Sequence, residues 1–268
     1  MLQKVLKNKI YIVLFIIGVL ITFSAPKDPD FGWHFKYGEH IVKNKQIPKT
    51  NLFSYTFPEY KWANSYWISQ IIFYLTYSSL GNVVAGLFFS SIAVGATLLI
   101  LNQEATIKKH SKTLITTVVL LLFITYSYFS VICRPLLFST IFLLFLTHSL
   151  VSKNKLLRYS PLLFLFWANI HADFTLGLAI LGIFNIQMLL TKGLKKKYLP
   201  IYLASLGSVA VTLINPYGFN LWKTLLKETN PLQFWHIGEW LPLTDKNFLP
   251  LYVIFAGTVI VSLIENEN

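Results

Sequence analysis

One cysteine in 268 residues, Cys133, rules out an internal disulfide, so the chain gives no sign of its redox compartment. A lone thiol among apolar neighbours reads as a small core filler. Charge is scarce too: Asp, Glu, Lys and Arg make up 13% of the chain, with 11 acids against 23 bases. Hydrophobic residues reach 54% and mean hydropathy is +0.57, which leaves too little polar surface for a soluble globule. Lipid is the expected solvent. Also lacking are a Gly-rich phosphate loop, a paired-His zinc motif and a serine nucleophile elbow. No apolar run carries the row of charges that an ion channel or proton pump would show. Neither a repeat nor a separate soluble domain is visible. A net charge of +12 would suggest nucleic acid in a soluble protein, but every basic cluster abuts an apolar run. Positive charge therefore reports orientation in a membrane, and no nucleic-acid partner is expected.

What is present is a series of apolar runs, and a span needs about 20 such residues, fewer inside a bundle. Candidates are 10–25, 83–102, 114–132, 135–151, 159–172, 174–191, 198–214 and 248–264. The first resembles a secretory signal, but its apolar core is long and Pro26 follows the Ser24-Ala25 pair, so an uncleaved span is expected. Segment 67–80 is apolar but short, and only Gly81-Asn82 separates it from the next run. If it crossed, the basic clusters 108–112, 153–158 and 192–197 would all fall outside, against the positive-inside rule. If it stays in the outer leaflet or re-enters, the inner ends collect Lys4, Lys7, Lys9, Lys108, Lys109, Lys112, Lys153, Lys155, Arg158, Lys192, Lys195, Lys196 and Lys197. The second topology is expected: an all-α bundle of about eight spans, forming one domain over 1–268, with both termini inside. Its outer segments are 26–82, with interfacial helices, and 215–247. Small residues Gly86, Ser90 and Ala93, with Ser91 and Gly95, mark a helix-packing stripe.

Residues able to do chemistry collect at the outer ends. Asp28-Pro29-Asp30 opens a helical pattern in which Trp33, Tyr37 and Ile41 share a face, as in a helix lying on the interface. Asp30 and His34 then sit near the membrane surface. Asp30 suits a general base or a cation ligand there, and equally suits a helix cap. Arg134, before Pro135, has a fork that fits phosphate oxygens, or simply snorkels. Trp167-Ala-Asn169-Ile-His171-Ala-Asp173 places polar groups in a tight turn, as a site or as a hydrogen-bonded turn. Asn215-Pro216-Tyr217-Gly218 reads first as turn chemistry. Glu239 and Trp240, with Trp235, could stack on sugar rings or anchor at the interface.

In chain order, Asp30-Phe-Gly-Trp33-His34, Gly38, Ile47-Pro48, Phe53-Ser54-Tyr55-Thr56, Trp62, Trp67, Arg134-Pro135, Trp167-x-Asn169-x-His171, Asn215-Pro216-Tyr217-Gly218 and Glu239-Trp240 form a familiar set. It resembles a group of bacterial membrane proteins similar to the GT-C superfamily of polyprenyl-phosphate-sugar glycosyltransferases, which includes the protein mannosyltransferases. The resemblance runs along nearly the whole chain. It implies a cytoplasmic-membrane enzyme that moves a sugar from a polyprenyl-phosphate donor to an extracytoplasmic acceptor. Asp30 would be its base or metal ligand, with Mg or Mn as the candidate ion and Asp173 as a second ligand. Substrate contacts would fall to His34, Arg134, Asn169, His171, Asn215, Glu239 and Trp240. Two departures stand out: Tyr66 occupies a position where relatives tend to carry Glu, and the chain ends at Asn268 where relatives usually continue. The competing reading is a non-catalytic subunit of envelope-glycan assembly or a lipid-linked saccharide transporter.

Overall fold

The computed structural model describes residues 2–23, 26, 29–107, 133–151 and 155–227. The expected spans at 114–132 and 248–264 lie outside the described residues, as do Glu239 and Trp240. Among the described residues there is no strand, only an isolated bridge between Thr50 and Lys61, so the class is all-α. The helices are α1 (Leu2–Thr22), α2 (Pro29–Asn44), α3 (Trp67–Ile107), α4 (Leu136–Val151), α5 (Ser160–Ile170), α6 (Phe174–Lys192), α7 (Leu199–Val211) and α8 (Phe219–Lys227). Among the described residues two stretches, Trp67–Leu99 and Phe174–Lys192, are long and apolar enough to cross a membrane by length and composition. Shorter apolar helices cover Tyr11–Thr22, Leu136–Leu150 and Leu156–Ile170.

Helix α3 is a hairpin rather than a rod. On a straight helix Phe73 and Phe89 would stand about 24 Å apart at the usual rise per residue. Their ring centroids are instead 5.1 Å apart, and Tyr77 stacks on Phe89 at 5.8 Å. The fold-back occurs at Gly81, whose φ of 71° and ψ of 171° belong to a region that essentially only glycine enters. Segment 67–80 is thus a first arm lying along the second, 82–107. Phe73, Tyr77, Ala85, Phe89, Ala93 and Leu98 share one buried cluster with Val19 of α1. The small-residue stripe serves this packing: Ser90 and Ala93 are fully buried, and a Cβ at Gly95 would lie 3.7 Å from the Phe15 ring.

Directions follow from these contacts. Phe15 of α1 meets Gly95, and Phe31, in the first turn of the following α2, meets Tyr77 at 4.6 Å beside Phe89, so α1 runs toward the Gly81 end, antiparallel to the second arm of α3. Helices α4 and α5 are antiparallel as well, Ser139 pairing with Trp167 near one end. Helices α5 and α7 run parallel, with Ser160 bonded to Ser208 and Asn169 to the Ile214 carbonyl. Helix α6 returns against α7 through Asn185 and Ser205. One end of the bundle therefore holds the chain around 2–9, 155–158 and 192–197, with its lysines and arginine. The opposite end holds Asp30, Arg134, His171, Asp173 and Asn215.

Helix α2 departs from the expectation of a lipid-facing interfacial helix. Its apolar stripe is covered by protein: Tyr37 is fully buried against Phe53 and Trp62, and Ile41 is 6% exposed. Its other flank packs on the first arm of α3 so closely that a side chain at Gly38 would collide with the Gln70 carbonyl. Periodicity identifies which face is apolar but not what covers it.

Candidate functional site

The first turn of α2 brings Asp30 to the rim of the bundle. Pro29 begins the helix, a position where its missing N–H costs nothing, and the helix N-terminus favours a carboxylate. Arg134 reaches the same point from the residues preceding α4, where Cys133 is fully buried with its Sγ 3.6 Å from the Tyr77 hydroxyl. Nη2 of Arg134 lies 3.2 Å from Oδ2 of Asp30. The guanidinium is mostly covered at 19% side-chain exposure, while the carboxylate is 61% exposed. A solvent-facing carboxylate therefore leans on a cation held from below.

One turn along α2, His34 is held by a relay of buried amides. The Tyr66 backbone N–H donates to Asn64 Oδ1 (3.1 Å), which turns Asn64 Nδ2 onto Gln70 Oε1 (2.7 Å). Gln70 Nε2, a donor only, then faces His34 Nδ1 at 3.3 Å. Asn64 and Gln70 are both fully buried, so neither amide can turn without orphaning a polar group. Since a backbone N–H can only donate, the whole relay has one direction. It makes His34 Nδ1 an acceptor and places the neutral ring's proton on Nε2.

His171 is oriented in the same sense. Trp167 Nε1 donates to Ser139 Oγ (2.8 Å), which sends the Ser139 proton toward His171 Nδ1, also 2.8 Å away. The Asp173 backbone N–H points at the same nitrogen from 3.3 Å. Oδ2 of Asp173 lies 3.2 Å from it. Although Asp173 stands at the start of α6, its side chain makes no cap bond. Between the two histidines lies the Tyr66 ring, 5.4 Å from His34 and 5.3 Å from His171. Asp30, His34, Arg134, His171 and Asp173 thus occupy one end of the bundle, with Tyr66 linking both imidazoles.

Asn169 and Asn215 tie together the turns that follow α5 and α7. Asn169 is 6% exposed; its Oδ1 accepts from Trp67 Nε1 (2.9 Å), and its Nδ2 serves the Leu165 and Ile214 carbonyls. Asn215 Oδ1 takes the Tyr217 N–H (2.8 Å), while its Nδ2 reaches the Thr212 and Gly218 carbonyls. That ties the turn to itself, as its sequence foretold. Beside both opens an apolar notch of about 380 Å³ lined by Trp67, Ile68, Leu165, Phe166, Asn169 and Pro216, among others.

Oδ2 of Asp30 faces a guanidinium and Oδ2 of Asp173 an imidazole nitrogen, and among the described residues no three His, Cys, Asp or Glu side chains converge.

From the sequence Tyr66 stands out only as a departure from the relatives, and Asn64, Gln70 and Ser139 do not stand out at all. A signal was available for Asn64 and Gln70, since with Ser65 and Ser69 they put four polar side chains around the start of an apolar arm, where unpaired polar groups are costly. No family model, curated protein or solved structure matches the chain.

Proposed function

We propose that the chain is an integral membrane glycosyltransferase that moves a sugar from a polyprenyl-phosphate donor to an acceptor hydroxyl on the extracytoplasmic face. The observation that carries this reading is the pairing of an exposed carboxylate, Asp30, with a covered guanidinium, Arg134, 3.2 Å away. Transfer from a sugar phosphate needs a base for the acceptor proton and a cation for the departing phosphate. Asp30 takes the proton from the acceptor hydroxyl. The acceptor oxygen bonds to the anomeric carbon on the face opposite the phosphate, and the C–O bond to phosphate breaks with inversion. Its electron pair leaves on the phosphate, whose charge Arg134 meets through its fork of donors. His34, presenting an Nε2–H, and His171 orient oxygen atoms around this centre. The apolar notch beside Asn169 and Asn215 suits a hydrocarbon chain.

The eight-span topology, with both termini inside, belongs to the same proposal. Two features support it: the hairpin at Gly81, which spares 67–80 a crossing, and the basic clusters 155–158 and 192–197 at the end of the bundle opposite Asp30. The lysines of the Asp30 side lie in the long segments 26–66 and 215–247, where charge sets orientation weakly. Under this topology Glu239 and Trp240 join the Asp30 side, where they would meet the acceptor or the sugar.

A second reading, a non-catalytic subunit or transporter for lipid-linked saccharides, draws on the same pair, because an ion pair between α2 and the start of α4 also serves as a structural lock. Purified wild-type chain supplied with labelled polyprenyl-phosphate sugars separates the two readings. Sugar transfer from at least one donor is expected. Donor lipid bound without transfer from any of the panel favours the second reading.

A further inference from the structure

The loop between α2 and α3 carries two aromatic side chains at its tip, Tyr55 and Phe57, that neither the fold nor the proposed chemistry uses. Tyr55 is 100% exposed and Phe57 69%, with Leu52, Phe53 and Tyr60 each above 40%. The loop is nevertheless built rather than slack. Thr50 bridges Lys61, the Asn51 N–H donates to the Tyr60 carbonyl (3.0 Å), and the Phe57 N–H donates to Ser54 Oγ (3.0 Å). The Tyr37 hydroxyl donates to Asn51 Oδ1 (3.1 Å) and accepts from the Leu52 N–H (3.2 Å), fastening the loop to α2. An ordered loop that keeps its aromatics outside the protein needs an occupant for that face.

The height of the loop identifies the occupant. Exposed apolar side chains continue along α7 into the following turn, where Leu213 is 44% and Ile214 62% exposed, so an apolar environment reaches that level. Three residues on, the Tyr217 hydroxyl donates to the Pro48 carbonyl at 2.7 Å, which ties the base of the loop to the same height. Helix α8 begins there, burying Leu221 while exposing Phe219 (62%) and Leu226 (69%). Exposed Lys45, Lys49, Lys61 and Lys223 surround these apolar groups, against Glu59 as the exposed acid of the loop tip. Aromatics with basic neighbours at the edge of an apolar zone suit a lipid headgroup layer, and lysines favour an anionic one.

We propose that the 50–61 loop and α8 form a two-part anchor seated in the headgroup layer of an anionic membrane leaflet, with Tyr55 and Phe57 at the acyl boundary. This rests on the membrane placement proposed above. Its consequence for the site is direct, since Tyr37 and the 5.1 Å and 6.3 Å contacts of Trp33 with Tyr37 and Phe53 join the loop to the helix that carries Asp30 and His34. The anchor therefore sets the height of those two residues above the lipid phosphates.

The test uses the full chain in nanodiscs of phosphatidylcholine with phosphatidylglycerol. Single cysteines are placed by Tyr55→Cys or, on α6, Ile183→Cys, and labelled with a bimane. Buried Cys133 is retained, and the wild type serves as the labelling blank. At position 55 the expected result is strong quenching by a nitroxide on the lipid headgroup and weak quenching by aqueous iodide. That preference should fall when Lys49→Glu and Lys61→Glu are added or phosphatidylglycerol is omitted. Iodide quenching at 55 equal to that of free dye, with position 183 still quenched by chain nitroxides, overturns the anchor but leaves the membrane placement standing. Protection of position 55 that requires an added soluble protein or glycan overturns it too. If position 183 escapes every lipid-borne quencher, the membrane placement fails and the anchor with it.

Discussion

Oδ2 of Asp30 lies 3.2 Å from Nη2 of Arg134, joining the first turn of α2 to the residues that lead into α4. In the proposed reaction this pair puts the proton acceptor and the cation that meets the phosphate within one contact, and it makes them compete. A phosphate arriving at Arg134 must displace or share the Asp30 carboxylate.

That competition has a signed consequence. Arg134→Ala removes a charge-assisted contact of about 1.5–3 kcal/mol, so donor-lipid binding weakens by roughly ten- to a hundredfold. Asp30→Asn removes the competitor and is expected to bind donor lipid as tightly as wild type or tighter. Equilibrium binding of a fluorescent polyprenyl phosphate to the two variants reads both directions.

The Gly81 hairpin is expected to tolerate no side chain. Gly81→Ala forces a Cβ into a glycine-only conformation and costs about 1–3 kcal/mol. Gly182→Ala, in open space on α6, is expected to be neutral or slightly stabilising. Thermal unfolding in detergent compares the two, and equal effects would contradict the hairpin.

Much of this fold was legible in the sequence because apolar runs and their Pro, Gly and Asn punctuation are local. Runs at 135–151 and 174–191 became α4 and α6 within one residue at either end, and the short Gly81-Asn82 gap did mark a turn. The covering of the α2 stripe was not legible, since Tyr37 is buried by Phe53 and Trp62, which lie beyond the helix in sequence. At the site, Asp30 and Arg134 could be named from residue type, but their contact could not. Nor could the relay to His34 or the Ser139 contact to His171, which close over separations of 36 and 32 residues. Asn169 drew notice as a polar group at depth, and its hydrogen bonds account for that cost structurally.

Asn169→Ala is accordingly expected to act on stability. It removes the acceptor of the Trp67 indole N–H and a donor to the Ile214 carbonyl, each worth about 1–3 kcal/mol when buried and unmet. Denaturant unfolding should show the loss.

The amide relay fixes a tautomer. Nitrogen-15 spectra of the ring of His34 should show the proton on Nε2 in the wild type. In Gln70→Glu a carboxylate oxygen replaces the donor facing Nδ1, and the proton is expected to move to Nδ1. An Nδ1–H form already present in the wild type would contradict the relay.

The central claim is that Asp30 acts as the base for sugar transfer, and the most direct measurement is single-turnover transfer from a bound polyprenyl-phosphate sugar by wild type and Asp30→Asn. A general base contributes about 10²–10⁴-fold, so the variant should lose that much rate while remaining folded and binding donor at least as tightly as wild type. Transfer by Asp30→Asn at the wild-type rate would contradict the account.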